Sequence, residues 1–253
     1  MCQACTKEEK QVSNELVSFS VDWKAPNSSL FDVMTAVDLI SLEESPSSLF
    51  GGIGKILMHK ENIFVLTING DQILKFSKEG KFLKSVKQLG DGPEEYRILR
   101  DIIMHKEHIF GLDNEKQRVL RWDHNLNFKS SHKLGFWSDR FHSTKNGFLF
   151  DTKFHLVNDS AFNLIFTDED FQVTGGALPF NKPRGLIMGG VNVFNQVNEA
   201  IQFMPIFNDT IFAVDVDSKT VNPVFRIDYG DLWQFDDQYQ TDQEFFTLFD
   251  GSS

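Results

Sequence analysis

The sequence predicts an all-β protein in which one four-stranded meander is repeated, and three observations carry this prediction. The residues from Lys55 align without gaps on those from Asp101, 46 positions later, and eight of the first twelve pairs are identical. Within each copy, apolar and polar residues alternate in short runs, which are separated by turn sequences such as NGD and NEKQ. Phe is abundant, with 26 residues, and favours strands. A repeat of this length and content is typical of a β-propeller blade.

The elements of the predicted blades follow in chain order. The first copy supplies strands in KILM, ENIFVL, QILKF and KFLKSV, and the second supplies DIIM, EHIFGL, RVLRW and FKSSHKL. Two weaker copies occupy residues 141–180 and 193–230. Ahead of the first blade, LVSFSVDWK and DVMTAVDLISLEE supply strands for a neighbouring blade. We expect exposed MHKE turns and these buried side chains: Ile56, Met58, Phe64, Ile102, Met104 and Phe110.

The stretch LGDGPEEYRIL interrupts this alternation between the first two blades. Gly90 and Gly92 permit backbone angles that other residues avoid, and Pro93 suits the first position of a short helical turn. Glu94 and Glu95 then fall where the helix dipole favours acids, whereas they would repel a bound phosphate. The stretch is therefore predicted to be a structural corner.

The same stretch carries a family resemblance. GKFLKSVKQLGDGPEEYRILRDI resembles the segment that joins the first two blades in the six-bladed, TolB-like or NHL-like β-propeller lipoproteins of Bacteroidetes. The matching residues of this inter-blade signature are Gly90, Gly92, Pro93, Glu95 and Tyr96. SLEESPSSLFGGIGKI, PIFNDTIFAV and VFRIDYG also resemble family segments, in the family's order. The resemblance implies that Tyr96 packs between blades.

The resemblance also implies a ring of six blades, of which this chain holds about four. We therefore expect an open arc that is incomplete at its C-terminus, with the aromatic residues of 231–253 belonging to an interrupted fifth blade. Residues 16–253 are expected to form a single propeller domain. Residues 1–15 are predicted to be a flexible tether, because they are too charged to pack.

Both cysteines lie in the predicted tether, in the sequence MCQACTKEEK. An isolated C-x-x-C could belong to a zinc site or a redox pair, but no second pair follows it. The resemblance implies instead that Cys5 is a lipidation site, and that the following KEE directs the protein to the outer face of the outer membrane. The predicted location is thus the cell envelope, as an outer-membrane lipoprotein, although the sequence shows no signal peptide.

Charge and chemistry narrow the function. With 25 basic and 36 acidic residues the formal net charge is -11, which argues against nucleic acid as a partner and leaves membrane contact to a lipid anchor. His105 and His108 are three apart, and on a hairpin this odd spacing is predicted to place them on opposite faces. The turns TDED and DVDSK lack a complete set of calcium ligands. We predict no cofactor, no metal and no catalytic residue.

Two functions remain open. The first is a noncatalytic binding module that holds a glycan, a peptide or a protein partner of an uptake system on one propeller face. The alternative is a propeller hydrolase or lyase with a metal in the central channel, which would need Asp, Glu, Asn or His from several inner strands. Because KILM and DIIM are apolar, the sequence favours the binding module.

Overall fold

The computed structural model describes residues 16–22, 24–25, 29–32, 34–183 and 192–230. Within these ranges the chain forms four sheets and a short 3-10 turn, Leu30–Asp32. The first sheet contains β2 (Ile53–His59), β3 (Asn62–Thr67), β4 (Ile73–Ser77) and β5 (Phe82–Val86). The second contains β6 (Leu99–His105), β7 (His108–Asp113), β8 (Arg118–Asp123) and β9 (Phe128–Lys133).

The later sheets repeat this order. The third contains β10 (Arg140–Thr144), β11 (Gly147–Asp151), β12 (Phe162–Thr167) and β13 (Val173–Pro179). The fourth contains β14 (Phe194–Val197), β15 (Ala200–Phe203), β16 (Thr210–Asp215) and β17 (Thr220–Asp228). β1 (Val17–Ser20) is added to its edge, parallel to β17.

The four consecutive strands of each sheet form an antiparallel meander, and the first strands of these meanders face one another. β2 contacts β6, β6 contacts β10, and β10 contacts β14. The first strands are therefore the inner strands of a propeller. The predicted all-β fold of four-stranded antiparallel blades is confirmed, as are the four repeat units.

The sequence repeat is also a repeat of strand register. Lys55 pairs with Leu66 in the first sheet, and Asp101 pairs with Leu112 in the second, each just after a bulge in the inner strand. Further along, Lys75 pairs with Lys84, and Arg121 pairs with Ser130. Positions 46 apart therefore occupy equivalent places in the two blades, so their side chains can be compared directly.

Apolar clusters lie between successive sheets. Phe64 and Ile73 of the first sheet pack against Ile102 and Trp122 of the second, and burial of these surfaces is the main force holding the blades together. Similar clusters join the second sheet to the third and the third to the fourth. The remaining face of the first sheet carries a smaller cluster that includes Phe76.

Two predictions about the first sheet are wrong. Ile56 and Met58 were expected to be buried, but they are 49% and 70% exposed. They pair with Val65 and Ile63 on the face that points away from the second sheet, where the described residues leave them uncovered. Their equivalents in the second sheet face the first sheet instead: Ile102 is buried and Met104 is half-buried.

The segment ahead of the first blade also differs from expectation. Of the two strands predicted there, LVSFSVDWK supplies β1, whereas residues 34–50 form no strand. Leu42 and Phe50 instead pack as side chains on the outer face of the first sheet. No helix in the described part of the chain is long and apolar enough to cross a membrane.

Candidate functional site

The inter-blade signature folds into a tight loop between the first and second sheets. Leu89 and Tyr96 form an isolated parallel bridge, and the carboxylate of Glu95 accepts a hydrogen bond from the backbone N–H of Gly92 at 2.8 Å. A Cβ atom at Gly90 would lie 2.1 Å from that carboxylate, so a larger residue there would displace the Glu95 side chain from the loop. No helix begins at Pro93, and the predicted turn is limited to one bond, in which the backbone N–H of Glu95 donates to the carbonyl of Gly92 at 3.2 Å.

Tyr96 fixes this loop between the blades. Its side chain is fully buried and meets Trp122 of the second sheet edge to face, with ring centroids 6.2 Å apart. Its hydroxyl donates to the carbonyl of Asp71 at 2.9 Å and lies 3.1 Å from the carbonyl of Val86. Burial raises the pKa of the Tyr96 phenol. In the structure these contacts place the signature in the inter-blade packing.

The inner strands also carry charged residues, although the segments KILM and DIIM were described above as apolar. Lys55 of β2 donates to the buried carboxylate of Asp101 on β6 at 2.6 Å. The other oxygen of Asp101 accepts from the backbone N–H of Phe141 on β10 at 3.1 Å. Asp101 therefore links the inner strands of three blades. Opposite charges at equivalent repeat positions were the sequence signal for this pair.

A second buried cluster lies where the third blade begins. Asp139 is paired with Arg100 at 2.8 Å, Arg140 at 3.4 Å and Lys153 at 3.6 Å. Asp151 is also buried, and one of its oxygens has no hydrogen-bond partner. Burial, with a contribution from Asp139, raises the pKa of Asp151 to about 7. Since Arg100 belongs to the second sheet and its carbonyl also accepts from Arg140 of the third at 3.0 Å, the cluster joins these two blades.

A cleft of about 450 Å³ opens between the second and third sheets. We call it the histidine cleft, and its lining includes His105, Lys106, His108, Phe110, Arg121, Ser130, His132, Phe148, Glu169, Asp170 and Phe171. The second sheet contributes residues from all four of its strands. The third contributes Phe148 and the β12–β13 turn.

Strand register places the polar side chains of the cleft on one face of the second sheet. His105 pairs directly with His108, and Arg121 pairs with both Phe110 and Ser130. The prediction that His105 and His108 lie on opposite faces is therefore wrong. Alternation applies along one strand, whereas a two-residue turn sets residues three apart side by side on the same face.

Two residues that line this cleft each carry a buried polar atom without a hydrogen-bond partner: Nε2 of His105 and Nε of Arg121. Burial lowers the pKa of His105, so its imidazole is neutral at neutral pH. At the rim, Lys106 forms an ion pair with Glu169 of the third sheet. His105 and Arg121 thus each keep a hydrogen-bonding atom that the described residues leave unpaired.

Aromatic rings form the floor of the cleft. Phe148 and Phe171 are stacked with ring centroids 4.7 Å apart, His105 lies 5.0 Å from Phe148, and His132 lies 5.2 Å from Phe171. Phe171 is held at a φ of 61°, an unusual value for a non-glycine residue. Oδ1 of Asp168 stabilises this turn by accepting from the backbone N–H groups of Asp170 and Gln172.

A second cleft, of about 410 Å³, lies between the third and fourth sheets. Its lining includes Phe154, Pro179, Phe180, Pro205 and Phe207. It is the more apolar of the two clefts, and none of its lining atoms is a buried polar group without a partner.

The other sequence candidates carry no comparable arrangement. In the described residues, no three His, Cys, Asp or Glu side chains are grouped so as to hold a metal. The TDED and DVDSK turns use Asp168 and Asp215 to accept backbone N–H groups. Cys2, Cys5, the predicted tether and residues 231–253 lie outside the described residues.

Comparisons with known proteins identify the family and support the fold. The family described as "Domain of unknown function (DUF4934)" matches residues 19–251, and the chain belongs to it. No curated protein matches the sequence.

Among solved structures, BF0058 of Bacteroides fragilis NCTC 9343, described as an exported protein, is similar with a TM-score of 0.73 and 19% identity. The match covers 85% of this chain and 60% of that protein, so the chain spans less than two thirds of that protein's length. A DUF4221 member from Bacteroides vulgatus ATCC 8482 matches with a TM-score of 0.48 and 9% identity, over 73% of this chain and 60% of that one. Virginiamycin B lyase from Staphylococcus aureus matches with a TM-score of 0.45 and 12% identity, over 66% and 53%.

Proposed function

We propose that this chain is a noncatalytic β-propeller binding module of the bacterial cell envelope, and that the histidine cleft holds its ligand. The observation that carries the proposal is one cleft with aromatic lining in which two lining residues, His105 and Arg121, each keep a buried polar atom without a partner. Ligand sites commonly combine apolar walls with a few convergent polar groups. A soluble glycan, a peptide or a loop of a partner protein in an uptake system is the kind of ligand we propose.

The charges on the inner strands support binding over channel chemistry. Asp101 is occupied by Lys55 and by the amide of Phe141, and Asp139 is surrounded by three cations. The alternative of a metal-dependent hydrolase or lyase needs several converging ligands, and the described residues bring no such group together. Fold alone does not separate the two functions, because propellers support both.

Location and anchoring are part of the proposal. The likeness to BF0058, a protein described as exported, supports an envelope location. We propose that Cys5 carries the lipid anchor and that residues 1–15 form the tether to the 16–253 propeller domain. Mass spectrometry of the protein from its native membrane fraction should find acyl chains on Cys5. An unmodified Cys5, or zinc held by Cys2 and Cys5, would contradict the anchor.

We further propose that these blades belong to a six-bladed ring. Ile56 and Met58 supply exposed apolar surface on the outer face of the first sheet, which a neighbouring blade would cover. The coding sequence downstream of Ser253 tests this proposal, because two further meander repeats are expected there. A stop codon directly after Ser253, in a gene whose product unfolds cooperatively as a monomer, would contradict it.

A calorimetric screen tests the binding function. The purified chain is titrated with neutral and acidic oligosaccharides and with short peptides, and at least one class is expected to bind saturably. Ser130→Trp fills the cleft and should abolish that binding, whereas Lys145→Trp, at an exposed turn, should leave it unchanged. Binding that survives Ser130→Trp would move the site elsewhere, and turnover of a bound ligand would replace the noncatalytic assignment.

A further inference from the structure

The first two inter-blade interfaces use equivalent positions differently. Among the side chains of the first sheet that reach across to the second, His59 lies 3.3 Å from the carboxylate of Glu107, Lys75 donates to Asn125 at 3.0 Å, and Lys84 donates to Asn127 at 2.8 Å. Each of these three residues has an equivalent 46 positions later in the second sheet. The equivalents are His105, Arg121 and Ser130, and all three line the histidine cleft.

The turn that supplies the acceptors is also repeated. Asp123 accepts from the backbone of Asn125 and Asn127, as Asp168 does from Asp170 and Gln172. The residues at the fourth place of the two turns, Leu126 and Phe171, share a φ near 60°. Asp170 therefore stands where Asn125 stands, across from Arg121. No hydrogen bond or ion pair joins Arg121 to it.

We infer that Arg121 anchors a carboxylate-binding subsite in the histidine cleft. The inference rests on the proposed binding function and deepens it by naming the ligand chemistry. The guanidinium is permanently charged, and its planar fork matches the two oxygens of a carboxylate. Nε of Arg121 is one prong of that fork, and it is the atom left buried without a partner. His105 and Ser130 stand beside it as further hydrogen-bonding groups.

The opposite wall limits the charge that the subsite accepts. Glu169 and Asp170 both line the cleft, and only Glu169 is paired, with Lys106. A doubly charged phosphate would meet these acids, whereas a carboxylate brings a single charge and needs only the Arg121 fork. Uronic-acid saccharides and acidic peptides both carry such a carboxylate, and the experiment below separates them.

The test is calorimetric titration of the full chain with D-glucuronate, butyrate and D-glucose, the two acids each carrying a single carboxylate. We expect glucuronate or butyrate to bind and glucose, which lacks the carboxylate, to bind at least about 10-fold more weakly. Preference for glucuronate indicates a saccharide source, and preference for butyrate, which resembles an acidic side chain, indicates a peptide-like source. Equal affinity for glucose and glucuronate would overturn the inference.

Variants locate the subsite. Arg121→Gln should weaken carboxylate binding at least about 10-fold, and Arg121→Lys should recover only part of it because lysine lacks the fork. Asp170→Asn should tighten binding about 3-fold by removing a like charge. Lys75→Gln is the matched control in the first interface and should leave binding unchanged. Carboxylate binding that is equal in Arg121→Gln and the wild type would overturn the inference.

The two proposals fail in different ways. If neither acid binds, but another ligand from the screen does and Ser130→Trp abolishes it, the carboxylate subsite is wrong while the binding function stands. If no ligand class binds, both are wrong. Circular dichroism and thermal unfolding of every variant establish that it is folded before its affinity is compared.

Discussion

The interface between the first and second sheets is closed, whereas the next interface opens into a cleft at the same repeat positions. His59, Lys75 and Lys84 each reach a partner on the following blade, while His105 and Arg121 keep buried atoms without one. Backbone register is the same in both sheets. The difference shows that side-chain changes at equivalent positions can turn a closed interface into a cleft while the strand register of the blades stays the same.

The largest expected effect is on the closed interface. Tyr96→Ala should lower the free energy of unfolding by about 3–5 kcal/mol, because it removes a fully buried ring and leaves a cavity beside Trp122. Tyr96→Phe keeps the ring and should cost only about 1–2 kcal/mol through the lost hydroxyl contacts. Urea unfolding measures both. Equal losses for the two variants would mean that the hydroxyl, not the ring, holds this corner.

The next effect concerns the residue that both interfaces share. Asp101→Ala should lower the free energy of unfolding by about 3 kcal/mol, since it leaves the Lys55 ammonium and the amide of Phe141 without their acceptor. The double variant Lys55→Met/Asp101→Leu removes both charges, and we expect it to recover part of the loss. Equilibrium unfolding decides the matter, and an Asp101→Ala variant as stable as the wild type would show that Asp101 does not link the blades.

A pH effect is expected at the start of the third blade. The pKa of Asp151 is raised from 3.8 to about 7 in the folded chain, so the folded state holds this proton more tightly than the unfolded state does. The stabilisation that comes from holding this proton is complete below about pH 4 and is lost as the pH rises through about 7. Between about pH 5 and pH 7 we expect a loss of about 2 kcal/mol.

Unfolding measured across this pH range checks the sign. Asp151→Asn cannot titrate and should flatten the slope, whereas Ser160→Ala, at an exposed position, should keep it. A wild-type stability that rises from about pH 5 to pH 7 would contradict the expected sign. A pH dependence in Asp151→Asn equal to that in Ser160→Ala would contradict the assignment to Asp151.

The smallest effect separates the two interfaces directly. Lys75→Met should lower stability by about 1 kcal/mol because it removes the hydrogen bond to Asn125. Arg121→Met, at the equivalent position, should change stability by less than about 0.5 kcal/mol because no partner is lost. Thermal unfolding of the two variants is the comparison, and a larger loss at Arg121 would mean that the cleft is a closed interface after all.

The fold could be predicted from the sequence because each blade forms from four strands that are consecutive along the chain. The repeated MHKE turn, the alternating runs and the spacing of 46 residues were enough to predict four meanders. Even the Lys55–Asp101 pair was present in the alignment, as opposite charges at one repeat position. Errors arose where blades meet or end. Ile56 and Met58 were expected to be buried like Ile102, but burial depends on a neighbouring sheet and not on strand alternation.

The candidate site was harder to predict, for a geometric reason. His105 and His108 share a face because of the hairpin turn, and Arg121 and Asp170, which are 49 residues apart along the chain, line one cleft because two blades pack together. The alternation of apolar and polar residues describes a single strand, so it predicts neither the shared face nor the shared cleft. The repeat did offer one signal: a position that holds Asn in one turn holds Asp in the next, opposite a basic residue in both cases.

The parallel pairing of β1 with β17 sets an order of assembly. Val17 lies beside Phe225, so a strand made early in synthesis must wait for about 200 more residues before its partner exists. The three sheets between them need only neighbouring segments and can form as they emerge. All four residues of β1 are exposed. This strand is therefore a late and detachable element, and its amide hydrogens should be the first in the sheets to exchange with solvent.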